Sequence, residues 1–400
     1  MNALSLKPQT ISLTDALRRE ARAAPESGIV EVMNYGRRRG GVTPLWAGEG
    51  DLPTPPFICE AATRSLAAGE TFYTWQRGIP ELREALARYH TGLYGRPFDP
   101  EEFYVTGSGM QAIQIVLAMV AGVGDEVLIP TPTWPNAAAA AGITGARAIE
   151  VPMSFGNDGW SLDFERLAGA VTPKTRALFV VSPSNPTGWT ATREDLIALL
   201  TLARRHGLWI VADETYARFW YGEGPRAPSF FDVMDAEDRV LFVNTFSKNW
   251  AMTGWRIGWI AAHPALGQVI ENMIQYSTSG VAAFMQRAAV AAIERGESFV
   301  AHLIERARRG REIACDTLAA TGRVRFAQPE GAFYLFFSVD GETDTRRLAM
   351  RLIDEAEAGL APGTAFGAGG EPFLRICFAR NAEQLQAAVD RVAAVISRFP

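Results

Sequence analysis

The sequence predicts an α/β protein with two domains: a large domain whose mainly parallel sheet lies between helices, and a smaller α+β domain formed by both chain ends. From residue 102 onward, continuously apolar runs alternate with helical segments, which is typical of parallel strands covered on both faces. From residue 324, shorter strands and helices mix, after a long helical segment at 298–320. We expect the large domain at 46–295 and the small domain at 1–45 with 296–400.

Composition and charge exclude several classes of protein. The 400 residues suffice for two domains, and 48% hydrophobic with 21% charged residues is usual for a globular protein. A net charge of −5 gives no reason to expect nucleic acid or an anionic membrane as a partner, and no apolar run has the length of a membrane span. The three cysteines and four histidines lack metal-ligand spacing. Sparse cysteines and the absence of a signal-peptide pattern predict a cytoplasmic protein.

The individual elements follow from periodicity and from residues that break regular structure. Before residue 102 we expect helices at 13–24, 57–68 and 80–94, a turn at 37–41 and a shaped, proline-rich loop at 44–56. In the alternating region we expect helices after 109 and at 193–206, and strands at 102–106, 126–130, 147–151, 176–181, 208–212, 239–246 and 255–261. Beyond it we expect strands within 324–339 and 374–379 and helices at 344–357 and 382–399. Ligands of such sheets bind at the carboxyl ends of the strands.

Lys248 stands out as one of three lysines, the others being Lys7 and Lys174. It lies between two apolar runs that read as buried strands. Partial desolvation there would lower its pKa and free the amine to form a Schiff base. A structural lysine that extends to solvent or caps a helix is the alternative, and this stretch alone leaves both open.

Other polar residues follow predicted strands directly. Asp213 could hold the proton of an electron-poor ring nitrogen, and Tyr216 could reach a phenolic oxygen; a helix-capping aspartate beside a packed tyrosine is the alternative. Ser108 and Gly109 begin a helix, where backbone N–H groups favour a phosphate, although a plain tight turn would look the same. Asn185 lies in a proline-rich loop that presents it as a donor or forms an ordinary Asx turn.

Three further side chains suggest ligand contacts. Trp134, on a rigid loop after a strand, suits stacking on a flat ring, or equally core packing. Arg256 and Arg375 lie in apolar, strand-like runs, so each should have an anionic partner, either a ligand or a structural carboxylate. The chain has no G-x-S-x-G elbow that would indicate a serine hydrolase.

Together these motifs resemble the class I/II aminotransferases among the fold-type I pyridoxal-phosphate enzymes, in the aspartate/aromatic group. The resemblance covers roughly residues 45–380 and depends on the order and spacing of six motifs. They are Ala47-Gly-Glu-Gly-Asp, Tyr73 five residues before Gly78-Ile-Pro-Glu-Leu-Arg, Ser-Asn-Pro-Thr-Gly, Asp-Glu-x-Tyr, Ser-Lys with an arginine eight residues beyond the lysine, and Phe-Leu-Arg-Ile.

The resemblance implies a role for each matching residue around pyridoxal 5′-phosphate. Lys248 would carry the cofactor and shuttle a proton, and Asp213 would pair with the ring nitrogen. Tyr216 and Asn185 would bind the ring hydroxyl, and Trp134 would stack on the ring. The phosphate would be held by Ser108, Gly109, Met110, Thr245, Ser247, Arg256 and, from the partner subunit, Tyr73. The substrate carboxylate would be bound by Arg375 with Asn185 and Gly48.

The implied activity is transfer of the amino group of an L-amino acid (aspartate, aromatic or similar) to a 2-oxo acid, in a homodimer with shared active sites. A β-lyase or a cyclase on the same scaffold is the alternative. A ligand-sensing regulator would need a DNA-binding segment, and the residues before Gly48 lack the length and the basic charge for one. Gly50, Met110 and Thr245 depart from common family residues (proline, threonine or lysine, and serine).

The sequence does not fix the substrate side chain. A dicarboxylate would need a second cation, for which Arg77 or Arg37–Arg39 are candidates. Trp46 and Trp75 would equally suit an aromatic-lined pocket.

Overall fold

The computed structural model describes residues 12–399. Its strands, in chain order, are β1 (Thr43–Pro44), β2 (Phe103–Thr106), β3 (Glu126–Thr131), β4 (Arg147–Pro152), β5 (Ser154–Gly156), β6 (Gly159–Ser161), β7 (Thr175–Val181), β8 (Trp209–Asp213), β9 (Val240–Thr245), β10 (Gly258–Ala261), β11 (Val324–Phe326), β12 (Tyr334–Val339), β13 (Ala358–Gly359), β14 (Ala361–Pro362) and β15 (Phe373–Cys377).

The α-helices of the same range are, in chain order, α1 (Arg19–Arg22), α2 (Gly28–Arg39), α3 (Pro56–Ala67), α4 (Pro80–Tyr94), α5 (Gly109–Val120), α6 (Asn136–Thr144), α7 (Phe164–Gly169), α8 (Arg193–His206), α9 (Phe246–Asn249), α10 (Gly267–Gln275), α11 (Ala283–Arg295), α12 (Glu297–Ala319), α13 (Thr345–Ala356) and α14 (Ala382–Ile396).

A seven-stranded sheet in the order β2-β10-β9-β8-β7-β3-β4 forms the centre of the molecule. The pairs from β9 through β8, β7 and β3 to β4 are parallel, whereas β10 runs antiparallel to both of its neighbours. Successive residues of one strand belong to different cores: Leu178 packs into one and Ala177 into the other. Both faces of the sheet are therefore buried, which is why the strands read as continuous apolar runs. The predicted fold class is confirmed.

A second, antiparallel sheet has the order β11-β12-β15-β14. Early and late parts of the chain meet beside it, because β1 pairs in parallel with β13 through Thr43 and Ala358, and α2 packs on α13. The proposed domain bounds at 46–295, and at 1–45 with 296–400, stay a prediction, and residues 1–11 lie outside the described range.

Several local expectations need correction. Within 13–24 only Arg19–Arg22 is helical, and 13–17 forms turns. The expected turn at 37–41 is in fact the end of α2, which continues to Arg39; basic side chains suit the last turn of a helix because they face its negative dipole end. The run at 255–261 becomes a strand only at Gly258.

Candidate active site

Lys248 lies in the short helix α9, directly after the carboxyl end of β9. Its Nζ donates a hydrogen bond of 2.5 Å to the carbonyl oxygen of Gly48 and lies 5.9 Å from the ring centre of Tyr216. Burial lowers the pKa of Lys248 to about 8. The side chain therefore points inward, unlike a lysine that extends to solvent, and a substantial fraction of its amine is neutral and nucleophilic near pH 8.

Asp213 is the last residue of β8 and is paired with Val181 on one side and Val243 on the other. It is only 5% exposed, and its Oδ1 accepts a hydrogen bond of 3.0 Å from the backbone N–H of Thr215. Burial raises the pKa of Asp213, while the hydrogen bonds from Thr215 and the positive charge of Lys248 oppose that rise. No cation within residues 12–399 forms an ion pair with this carboxyl group, so it can pair with a protonated ligand nitrogen.

Arg375 lies in the middle of β15 and is 2% exposed. Its Nη1 donates 2.9 Å to Oδ1 of Asn185, and its Nη2 donates to the carbonyl oxygen of Trp46. The guanidinium carbon lies 4.5 Å from the ring centre of Tyr334 and 4.9 Å from that of Phe366. Its Nε has no hydrogen-bond partner, and no carboxylate of the described chain lies within 4 Å of it. The expected structural ion pair is absent there, so this buried cation is available to an external anion.

Tyr334 is a site residue that the sequence reasoning missed. Its hydroxyl oxygen lies 2.7 Å from that of Tyr216, and both side chains are buried. A Cβ placed on Gly48 would come within 2.7 Å of the same hydroxyl, so only glycine fits at that point. The available signal was a hydroxyl-bearing ring in the otherwise apolar run 333–337, but such a run does not show which neighbour the hydroxyl meets.

The N-terminus of α5 forms a group of free donors. Ser108 caps the helix by accepting a hydrogen bond of 3.0 Å from the backbone N–H of Gln111. The backbone N–H groups of Gly109 and Met110 make no hydrogen bond within residues 12–399. Ser108 adopts a φ of 146°, a strained value for a side-chain-bearing residue that is typical of functional sites. Free N–H groups at a helix N-terminus favour an anion such as phosphate.

Thr245 and Ser247 bring two hydroxyl groups to the same region, with their oxygens 2.9 Å apart. Both residues are buried, and a Cβ on Gly109 would lie 3.2 Å from the Cβ of Thr245. A Cβ on Gly258 would come within 2.7 Å of the backbone nitrogen of Gly109. The two glycines therefore let the helix N-terminus and the Lys248 segment approach closely enough to surround one small group.

Arg256 corrects a sequence expectation. It is exposed and lies in a turn before β10, with a φ of 51°, rather than inside a buried strand. Its Nη1 donates 2.6 Å to the carbonyl oxygen of Thr253. Because its side chain is exposed, burial does not require Arg256 to have an anionic partner.

Two predicted aromatic contacts differ in their surroundings. Trp134 follows β3 and is partly buried against the core beneath α5 and α6. Tyr73 is 93% exposed, and it makes no side-chain hydrogen bond in the described part of the chain. The structure of one chain therefore places Trp134 beside the strand ends and leaves Tyr73 projecting away from its own molecule.

The residues considered for contact with the substrate side chain differ in their partners and exposure. Arg77 donates 2.6 Å to Glu271 and 2.8 Å to Glu101, so its charge is already balanced and it is not free for a dicarboxylate. Arg37–Arg39 are exposed on the last turn of α2. Trp46 is buried under Gly359 in the core, whereas Trp75 is 62% exposed.

The residues fit pyridoxal phosphate. Lys248 supplies a neutral amine for its aldehyde, Asp213 a carboxylate without an ion-pair partner, and the α5 N-terminus a set of free donors for its phosphate. Arg375 adds a buried cation for a substrate carboxylate. An amine nucleophile, a ring-nitrogen partner and a phosphate cradle at the edge of the central sheet, with a carboxylate clamp from the second sheet, define a pyridoxal-phosphate enzyme acting on amino acids.

Comparison with known proteins gives the family. Residues 41–392 match the model of "Aminotransferase class I and II", and the chain belongs to this family. It is 37% identical to an aspartate/prephenate aminotransferase of Thermus thermophilus, with 90% of this chain and 93% of the relative covered. It is 35% identical to an aromatic-amino-acid aminotransferase of Thermococcus litoralis, covering 89% and 92%. The crystal structure of an aspartate aminotransferase from Thermotoga maritima superposes with a TM-score of 0.88 at 32% identity, covering 95% and 99%.

The chain is thus a pyridoxal-phosphate-dependent aminotransferase, which transfers an amino group from an amino acid to a 2-oxo acid. The comparisons favour this activity over the β-lyase or cyclase that the same scaffold could support. In the region 12–399, no helix is both long and apolar enough to span a bilayer.

Proposed function

We propose that the donor is an L-amino acid of the aspartate, aromatic or similar kind, and that Lys248 is the residue on which the reaction depends. The inward-pointing Lys248 at the carboxyl end of β9, whose Nζ donates to the carbonyl oxygen of Gly48 and whose pKa burial lowers, is the observation that carries this proposal. The names of the relatives, which include aspartate, prephenate and aromatic aminotransferases, support this range of donors.

Asp213, Tyr216, Asn185 and Trp134 are the residues that we assign to the cofactor ring. Pyridoxal phosphate, when bound, supplies an aldehyde carbon that captures the amino group and a ring that accepts the electron pair released at Cα. Asp213 keeps the ring nitrogen protonated, because a buried carboxylate without an ion-pair partner gains most from a nearby positive charge. Tyr216 and Asn185 would bind the ring hydroxyl, and Trp134 would stack on the ring.

We assign the cofactor phosphate to the donors around the α5 N-terminus. The backbone N–H groups of Gly109 and Met110 are free there, and the Ser108 turn aims them outward. The hydroxyl groups of Thr245 and Ser247 and the guanidinium of Arg256 complete this set.

Lys248 also moves the proton. A base with a pKa near 8 would take up the proton from Cα of the donor and release it again with little cost in either direction. Its hydrogen bond to the carbonyl of Gly48 holds the Lys248 side chain beside the loop at 44–56, which contains Gly48. The reverse half of the reaction uses the same proton transfer in the opposite sense.

Arg375, Asn185 and Gly48 bind the carboxylate next to the reacting carbon. Donor and acceptor both carry this group, so one clamp serves both halves of the reaction. Because the two substrates occupy the same site in turn, the kinetics should be ping-pong.

We also propose a homodimer in the cytoplasm. Phe72, Tyr73 and Trp75 are exposed by 84%, 93% and 62%, and Tyr276 by 88%, which is unusual for large aromatic side chains. Gln111 of α5 donates 2.9 Å to Ser277, so the Tyr276 part of this surface adjoins the phosphate region. Such a surface supports a second copy whose Tyr73 reaches this site. The three cysteines are free, as in a reducing compartment.

A half-reaction tests the assignment. The purified enzyme loaded with pyridoxal phosphate and given an L-amino acid alone should release one equivalent of 2-oxo acid per site and leave its cofactor in the amine form, followed by absorbance. Lys248→Ala should do neither. Release of ammonia in place of cofactor amination would contradict the proposal.

Subunit mixing tests the dimer. Lys248→Ala and Tyr73→Ala are each expected to be impaired at limiting pyridoxal phosphate. A hybrid of the two has one site with both residues intact, so activity should return after refolding the mixture. A chain that sediments as a monomer, or hybrids without regained activity, would refute a shared site.

A further inference from the structure

A cavity of about 510 Å³, open to solvent, adjoins the assigned substrate site. Its walls are the segment 23–28, the end of β3 with the loop and helix start after it, and the segment 364–367. Phe366 in this wall lies 4.9 Å from the guanidinium of Arg375. Thr133 and Pro135 in the same wall flank Trp134. One wall residue of the cavity, Phe366, therefore packs on Arg375, and two others are the chain neighbours of Trp134.

The cavity wall contains a buried hydroxyl without a partner. Thr131 is 2% exposed and lines the cavity, and its Oγ1 makes no hydrogen bond within residues 12–399. A buried polar atom left without a partner costs free energy, so such an atom on a cavity wall indicates a polar ligand group.

The charge on the cavity walls is negative. Glu20, Glu26 and Glu150 line it, and no lysine or arginine does. Arg18 lies 3.4 Å from Glu20 and balances that charge. Glu26 and Glu150 form no ion pair in the described range, and Glu150 is fixed by a hydrogen bond of 2.8 Å from the backbone N–H of Ala368.

Met110, the residue of the phosphate cradle that lies next to this cavity, carries no charge. Met110 contacts the cavity-lining Asn136, whose Nδ2 lies 3.8 Å from the Met110 sulfur. Arg77, a candidate from the sequence for binding a second carboxylate, forms ion pairs with Glu271 and Glu101. No positive side chain of the described chain is therefore available on this wall to bind a second carboxylate.

We propose that this cavity receives the substrate side chain and selects amino donors whose side chains carry no negative charge; the proposal rests on the function assigned above and, of the donors named there, favours the aromatic and other uncharged ones over aspartate. In this arrangement the substrate α-carboxylate binds Arg375 and its Cα lies beside Lys248. The substrate side chain then extends past Phe366 into the cavity. A terminal carboxylate would there meet Glu26 and Glu150 without a counter-charge, and such like-charge contacts are how sites reject a ligand.

L-glutamate and L-glutamine provide the test, because they match in shape and differ in charge. With pyruvate as acceptor, kcat/KM for glutamine should exceed that for glutamate by about fivefold, the ratio that ~1 kcal/mol of repulsion from these solvent-exposed carboxylates produces. The unreactive pair glutarate and glutaramate should show the same order of affinity for the loaded enzyme by calorimetry. Equal or tighter binding of glutarate would overturn the proposal.

Matched variants locate the effect. Glu26→Gln combined with Glu150→Gln should bring the glutamine-to-glutamate ratio towards one, and the new amide at 150 can still accept the Ala368 N–H. Glu237→Gln removes an equal charge at an exposed position outside the cavity and should leave the ratio unchanged. An unchanged ratio in the double variant would refute the cavity's role. Absence of transfer from every donor would instead refute the proposed function, while the calorimetry would still decide the charge preference.

Discussion

Replacing Arg375 with lysine is the sharpest test of the carboxylate clamp. A guanidinium has five N–H donors, and two of these go to Asn185 and to the carbonyl of Trp46. Three therefore remain for a ligand, including the unpartnered Nε–H. A lysine ammonium has three donors in total, so if it kept both protein contacts it would offer one to the substrate.

The expected loss follows from this difference. A planar fork binds a carboxylate through two charged hydrogen bonds, and lysine at this position would lose at least one. One charged hydrogen bond is worth ~1.5–3 kcal/mol, which corresponds to a decrease of roughly 10- to 150-fold in kcat/KM. Because donor and 2-oxo acid share the clamp, the KM values of both should rise in Arg375→Lys.

Steady-state kinetics with both substrates varied would measure these values. Arg398→Lys is a suitable control, because Arg398 is exposed and its ion pair is with Glu355, which is not a site residue. An increase in KM for only one of the two substrates, or unchanged kinetics, would refute the assignment of a shared clamp to Arg375.

Three other changes test the remaining chemistry. Lys248→Ala should abolish both the absorbance band of lysine-bound cofactor and turnover; normal turnover would contradict the role of Lys248. Uptake of pyridoxal phosphate by the cofactor-free enzyme, followed by stopped flow, should accelerate about fivefold from pH 7 to pH 8. Only the neutral amine of Lys248 attacks the aldehyde, and its pKa is about 8. An uptake rate that does not change with pH would contradict the lowered pKa of Lys248. Tyr334→Phe removes the partner of the buried Tyr216 hydroxyl and should lower the free energy of unfolding in urea by ~1–3 kcal/mol, whereas Tyr276→Phe at an exposed position should not.

The errors of the sequence reasoning have a common physical origin. The three arginines at 37–39 looked like a loop because they are polar, yet they end α2, whose burial depends on contacts with α13. Arg256 looked buried because apolar residues flank it, but the chain turns there before β10 begins. In both cases the outcome depended on packing with residues distant in sequence, which a local pattern does not contain.

The sequence by itself determined the α/β class and the placement of Lys248, Asp213 and Asn185 at strand ends, because two-faced burial and strand termination leave local patterns in the chain. Only the tertiary structure decided which groups meet. It brought Arg375 to Asn185 across 190 residues and Tyr334 to Tyr216 across 118. It also placed no carboxylate beside the Arg375 guanidinium, and it lined the adjoining cavity with glutamates. These contacts join strands of the second, antiparallel sheet to the ends of strands of the central sheet, so charge balance between the two sheets is a property of the assembled fold.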